Sequence, residues 1–266
     1  EGQNNLGYRY GKGWGVQLDE VEALKWYRLA AAQGHRLAQF NVGGAYLHGL
    51  GIPKDEVEAF KWHLLAAQQG HALAQAQLGD SYFLGRGVEK DLAQALKWYR
   101  LAGEQGEVTA QYHLGKIFID GDGVPPDVNE ARKWFLLAAE QGDVMAQNRM
   151  GIIYENGKGV DKDIREAIRW YRMAARQGDI SAQNNLGMIY EVGRGVKVNK
   201  PEATRWYRMS ADQGDAFGQQ RLDLLQASGE DVMEDSDETL TRLLRDSEAG
   251  DADAQNSLGL LYMVGE

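Results

Sequence analysis

A tryptophan stands at positions 26, 62, 98, 134, 170 and 206, each 36 residues after the last. A whole phrase recurs around it. One copy reads Ala74-Gln75, Leu78-Gly79, Tyr82, Gly85-Arg86-Gly87-Val88, Ala95, Trp98-Tyr99 and Gln105-Gly106. A fixed period of this length marks an array of small units, none of which can bury its apolar face alone. The 266 residues therefore read as one continuous array. Residues 1–215 hold six repeats, the first truncated at its start. Residues 216–250 hold a degenerate repeat, and 251–266 begin a further one.

Each unit predicts two helices. In the first, helix A, Ala38, Val42, Gly43 and Tyr46 share one face of a 3.6-residue period. Its mid-helix glycine recurs at 7, 43, 79, 115, 151, 187 and 259. Glycine inside a helix costs about 1 kcal/mol against alanine, so its return predicts a neighbour too close for a Cβ. A Gly-x-Gly turn follows, whose first glycine suits a left-handed helix end. The apolar residue after the turn (Val16, Ile52, Val88, Val124, Val160 or Val196) is expected to fold back onto the core. In helix B, Ala95, Trp98, Tyr99 and Ala102 form the strongest amphipathic stripe, and Gln-Gly closes it. Asp143, Asp179 and Asp215 come directly after that glycine and predict N-caps for the next helix A.

Composition narrows the partners. A net charge of −10 repels phosphate backbones and anionic bilayers, so nucleic-acid binding is not expected. No apolar run is long enough to span a membrane, so no membrane insertion is expected. The absence of cysteine excludes thiolate chemistry and disulfides. No cofactor is called for. The chain starts inside a helix-forming phrase and stops inside a turn at Gly265-Glu266, so it reads as a fragment of a longer array.

The combination of Ala-Gln, Leu-Gly, Tyr, Gly-x-Gly-Val, Ala-x-x-Trp-Tyr and Gln-Gly over 36 residues resembles the Sel-one-like repeat (SLR) family, a relative of the tetratricopeptide repeats. The resemblance covers nearly the whole chain. It implies an all-α fold, a right-handed superhelical solenoid of antiparallel helix pairs, that works by protein–protein interaction. Many bacterial members look like adaptors, envelope proteins or factors that meet host proteins, which tilts the location towards periplasmic or secreted. A protein or peptide partner is expected, and end-to-end self-association is a further reading.

In tetratricopeptide-like stacks helix A lines a concave groove, so copy-to-copy differences on its open face are where a partner is specified. The groove positions lie one before and two, six, nine and ten after the recurring alanine. They give Phe40 and Leu47 in the second copy, Phe83 in the third, and Tyr112 and Ile119 in the fourth. The fifth gives Met145, Asn148 and Glu155, and the sixth Asn184, Met188 and Glu191. The shift from aromatic and apolar to Asn, Met and Glu suits a groove that anchors apolar side chains and hydrogen-bonds a backbone.

Other constellations read more plainly. Lys25, Lys61, Lys97, Lys133, Arg169 and Arg205 form a basic ladder, most with a Glu three residues earlier, as solvated pairs on helix B. His35 and His71 are equivalent positions one repeat apart, but zinc needs four converging ligands, and no third and fourth are evident. Asp120-Gly121-Asp122-Gly123 lacks the further acidic positions of a calcium loop. A catalytic alternative, metal-dependent or hydrolytic, would rest on the His and Asp residues of the early copies, and no Gly-x-Ser-x-Gly or Cys nucleophile supports it.

In the seventh copy Asp223, Gln226 and Arg242 replace the usual Gly, Tyr and Trp, and 230–238 is strongly acidic. Losing a buried Trp typically costs about 3–5 kcal/mol. Amides of 230–246 should therefore exchange with deuterium faster than those of 163–177; equal protection would contradict this reading.

Overall fold

The structure is a computed structural model that describes residues 1–227 together with 244, 245 and 247. Thirteen α-helices, and no strand, occur among the described residues. The A helices are α1 (Gly2–Lys12), α3 (Arg36–His48), α5 (Ala72–Leu84), α7 (Val108–Asp120), α9 (Val144–Asn156), α11 (Ile180–Val192) and α13 (Ala216–Ala227). The B helices are α2 (Glu20–Ala31), α4 (Glu56–Gln68), α6 (Leu92–Glu104), α8 (Val128–Glu140), α10 (Ile164–Arg176) and α12 (Lys200–Ala211). The chain forms two compact units, residues 1–163 and 164–266. Within the first, each of α1 to α9 packs on its chain neighbours; within the second, α10 to α13 do the same. The fold is thus all-α, with adjacent helices packed at the predicted period. The acidic stretch and the expected weak segment 230–246 lie outside the described residues, apart from 244 and 245.

Helix ends follow local chemistry. Gly85 ends α5 in the left-handed conformation (φ 71°), and its N–H donates to the Ser81 carbonyl. At Gly87 a Cβ would overlap the carbonyl of Glu56, at the start of the preceding B helix. The first glycine of the turn therefore stops a helix, and the second lets the turn lie against the previous repeat. Asp143, Asp179 and Asp215 accept from the N–H groups of Ala146, Ala182 and Gly218 at 2.7, 2.6 and 2.7 Å, as expected of N-caps. Ile52 packs against the core below it.

The mid-helix glycine faces a ring. A Cβ on Gly79 would collide with the ring of Tyr99; one on Gly115 would sit 2.5 Å from Phe135, and one on Gly187 2.5 Å from Tyr207. The close neighbour is therefore a side chain from the partner helix B, not its backbone. This ring, not the tryptophan before it, is the centre of the unit. Tyr99 is 1 % exposed and Tyr171 and Tyr207 are fully buried, against 5 % for Trp134 and Trp170 and 4 % for Trp206; Trp26, Trp62 and Trp98 are half-buried, as is Tyr27. In the Trp-Tyr pair the second residue points straight at the glycine notch and the first lies along the seam.

Between repeats runs a ladder of buried glutamines. Gln75 Nε2 donates to the Ala67 carbonyl at the end of α4 (3.1 Å), and its Oε1 accepts from Gln105, just past α6 (2.6 Å). Gln39 is held in the same way by Ala31 and Gln69, Gln111 by Gly103 and Gln141, and Gln183 by Ala175 and Gln213. Each of these amides ties the end of one B helix to the end of the next through the A helix between them.

Glycine substitutions test the close approach. Gly79→Ala gains about 1 kcal/mol of helix propensity but must displace the Tyr99 ring, an overpacking cost of roughly 1–3 kcal/mol; it should lower the denaturation midpoint. Gly44→Ala, where a Cβ meets nothing within 4 Å, should raise it. Chemical denaturation followed by circular dichroism reads both signs.

Candidate functional site

The A helices leave two rows of side chains in solvent. One row precedes the recurring alanine: Leu37, Leu73, Thr109, Met145 and Ser181. The other lies ten residues after it: His48, Leu84, Asp120, Asn156 and Val192. All ten are exposed, and no two copies carry the same pair. One row on the B helices behaves differently, although Val21, Val57, Ala93, Asn129 and Arg165, exposed on the same helices, vary. In that row the exposed Leu29, Leu65, Leu101 and Leu137 repeat the same residue at the same position.

The structure sorts the sequence-derived candidates into open and enclosed. Met145 is 56 % exposed. Leu47, Phe83, Ile119, Asn148, Glu155 and Met188 are half-buried along the A helices. Lys90 lies 5.6 Å from the Phe83 ring centre. Phe40 is half-buried as well, its ring stacked on His71 at 4.7 Å. Three candidates are used up internally. Tyr112 is buried, 5.7 Å from Phe135. Asn184 gives its amide to Asp215 (2.9 Å) and its oxygen to Ser210 (2.8 Å). Glu191 accepts from the Tyr207 hydroxyl at 2.7 Å and pairs with Arg221. Tyr112 and Asn184, both two after the alanine, pack between helices.

The position three after the alanine was missed in the sequence. His113 stacks on Tyr99 (5.1 Å between rings, 21° between planes), and its Nε2 lies 3.6 Å from Asp80, which also accepts from the Tyr99 hydroxyl at 2.7 Å. Arg221 takes the matching place beside Tyr207 and Glu191. Burial, then the neighbouring carboxylate, pushes both phenols well above the ordinary tyrosine range.

The histidines have structural employment. His35 and His71 cap helices: their Nδ1 atoms accept from Ala38 N and Ala74 N, at 3.2 Å each. They stand where later copies place a capping Asp. His63 fills the ring position over Gly43 and is 2 % exposed. Among the described residues, no group of three or more His, Cys, Asp or Glu is arranged to hold a metal. The basic ladder pairs as its spacing predicts, with Lys61 on Glu58 at 2.6 Å and Arg169 on Glu166 at 3.1 Å. It also lies over the tryptophans, Lys133 at 5.3 Å from Trp134 and Arg205 at 5.8 Å from Trp206. No described helix is long and apolar enough to cross a membrane.

The Sel1 repeat family model matches residues 1–35, 36–71, 72–107, 108–143, 144–179, 180–215 and 252–266. Among solved structures, the chain is similar to c5321, a protective antigen of uropathogenic Escherichia coli strains with an SLR fold. The identity is 36 % and the TM-score 0.83, over 99 % of this chain and 56 % of that one. The chain therefore spans little more than half the length of that protein. It is also similar to a Sel1 repeat protein from Oxalobacter formigenes, at 40 % identity and TM-score 0.72, over 79 % of this chain and 86 % of that one. No curated protein matches the chain.

The histidines make the fold acid-sensitive. Burial holds the His63 imidazole down at about 4, and burial also depresses His71 and His113, the latter against the pull of Asp80. A base depressed in the folded state stabilises above its unfolded value, near 6.5, and loses that contribution as pH falls towards the folded value. For His63 the full window corresponds to about 3 kcal/mol. The thermal midpoint should fall between pH 7 and pH 4.5. His63→Phe, which copies the Phe135-over-Gly115 pairing, should remove much of that slope; an unchanged slope would contradict the assignment.

Proposed function

Since the chain belongs to the Sel1 repeat family, we propose that it is a non-catalytic adaptor holding a segment of another protein against the exposed face of its A helices. Sel1 repeat proteins generally mediate protein–protein interaction, and the two solved relatives share this architecture. The observation that carries the proposal is the contrast between two exposed surfaces. On the A helices the two exposed rows carry a different pair of residues in each of the second to sixth copies, whereas the exposed row Leu29, Leu65, Leu101 and Leu137 of the B helices repeats one residue. Packing does not dictate an exposed residue, so a row whose chemistry changes from copy to copy suits a surface that distinguishes partners.

The chemistry of that face is graded within the first unit. Leu37, Leu73 and Leu84 are exposed apolar groups, and Asp120 and Asn156 follow them along the chain. A segment with apolar side chains at one end and hydrogen-bonding groups at the other matches this order. Leu47, Phe83, Ile119 and Glu155 are half-buried supports at its edge. An acidic overall balance of −10 favours a segment that is not itself strongly acidic. A finer reading, an exported factor that meets host proteins, draws its support from the antigen character of the uropathogenic E. coli relative. Of the histidines behind the hydrolytic alternative, His35 and His71 serve as caps and His63 fills the core.

Two triple variants decide the matter. Leu37→Glu/Leu73→Glu/Leu84→Glu places charge on the A face, and Leu29→Glu/Leu65→Glu/Leu101→Glu places it on the B face. Affinity capture with quantitative mass spectrometry should show a protein lost with the first variant and retained with the second, at equal helical circular dichroism. Retention with both, or loss with only the second, would refute the A face as the binding surface.

A further inference from the structure

The varied face holds a concavity at its first junction. Between α1, α2 and α3 lies a cavity of about 350 Å³ walled by Tyr8, Tyr27 and Phe40 with Ala23, Leu24 and Ala45. Its origin is visible in the register of the repeats. Six residues after the alanine, the third to sixth copies carry Asp80, Lys116, Ile152 and Met188, and the second carries Gly44. Nine residues after it they carry Phe83, Ile119, Glu155 and Glu191, and the first carries Gly11. Three residues after it, where His113 and Arg221 reach across to the next tyrosine, the second copy has the shorter Asn41, which bonds to Asn4 at 3.1 Å. Gly11, Asn41 and Gly44 together leave open space beside Tyr27, the tyrosine of the first copy. A Cβ on Gly44 would meet nothing within 4 Å.

Resting on the adaptor reading above, we propose that this cavity is an anchor pocket that takes one uncharged aromatic side chain from the partner segment. The molecule itself shows what belongs there. In the corresponding place between the third and fourth copies, the His113 ring lies flat on Tyr99, with planes 21° apart. At the junction of the sixth and seventh, the planar guanidinium of Arg221 sits beside Tyr207. Both of those occupants carry or can carry charge, and each is met by a carboxylate, Asp80 or Glu191. The empty place has no such carboxylate, because its equivalent positions are Tyr8 and Gly11. The charged residues that do line it, Lys12 and Glu20, are exposed and of opposite sign. A flat ring without charge is what this arrangement receives at least cost, and aromatic rings are the commonest anchors of protein interfaces. The volume is at the small end for a ligand site, which suits a side chain rather than a cofactor.

The test titrates the full chain, labelled with ¹⁵N, against N-acetyl-tryptophanamide, with N-acetyl-leucinamide and N-acetyl-argininamide as comparison probes. Saturable shifts at the amides of Gly11, Asn41 and Gly44 are expected with the indole probe alone. Gly44→Ile, which installs the side chain found at position 152, should weaken them at least about tenfold, a loss of about 1.4 kcal/mol. Gly44→Ala should leave them near the starting value, and the unfolding midpoints of both variants verify that each is folded. No shift at those amides, equal shifts with the leucine or arginine probe, or full binding by folded Gly44→Ile would each overturn the pocket. A silent pocket combined with capture that still depends on Leu37, Leu73 and Leu84 would overturn this proposal and leave the adaptor reading standing.

Discussion

A buried glutamine amide is the interaction on which the array depends. Gln39, Gln75, Gln111 and Gln183 each spend a donor on the last turn of one B helix and an acceptor on the residue capping the next. An amide this deep is costly unless both ends are engaged, and leaving one unsatisfied costs about 1–3 kcal/mol. Apolar surfaces alone tolerate sliding, because burial is not directional. The glutamines supply the direction: a B helix displaced by a residue would break a donor and an acceptor together. Register is therefore set at the helix ends, and the exposed side chains of the A helices are released from any part in it.

Inside each unit the matching device is a ring seated on a glycine. Tyr99 over Gly79, Phe135 over Gly115 and Tyr207 over Gly187 are one contact made with two kinds of ring, and His63 over Gly43 makes it with a third. The choice of ring alters what lies at its far end. Tyr99 and Tyr207 extend a hydroxyl to Asp80 and Glu191, Phe135 extends nothing, and His63 ends short. Substitution at one constant-looking position thus changes the chemistry offered on the A face above it, while the packing below is preserved.

The period, the two-helix unit, the Gly-x-Gly stop, the aspartate caps and the close approach at the mid-helix glycine were legible in the sequence, because each follows from spacing and backbone geometry. Other features were not. Trp98 and Tyr99 fall on one amphipathic stripe, and periodicity cannot rank two neighbours on the same stripe by depth. His35 and His71 carried no cap signal, because histidine caps only through an unprotonated Nδ1. The candidate site was half legible. Counting from the alanine found the open rows at Leu37, Met145 and Leu84, but it also admitted Tyr112, Asn184 and Glu191, which the neighbouring helix encloses. A face defined from one helix contains no information about the curvature that brings the next helix over it. The two glycines that open the cavity, Gly11 and Gly44, were visible as departures from the other copies. Their meaning emerged only when Tyr27 was seen beneath them.

Variation inside the array comes in matched pairs, and this separates structural change from functional change. Gly218 stands where the second to sixth copies have alanine, and Ser210 stands where α2, α4, α6, α8 and α10 carry Ala30, Ala66, Ala102, Ala138 and Ala174. The two changes answer each other, because a Cβ on Gly218 would overlap the Ser210 hydroxyl, which bonds to Asn184 at 2.8 Å. Arg221 and Glu191 are likewise paired, and so are His113 and Asp80. In these three cases an interior departure has a partner departure that restores packing or charge. Leu37, Leu73, Thr109, Met145 and Ser181 hold four residue types at one exposed position. Gly11, Asn41 and Gly44 go further, since together they leave a cavity that no described residue refills. A compensated change is what stability demands of a repeat, and an uncompensated one is left for a second molecule to answer.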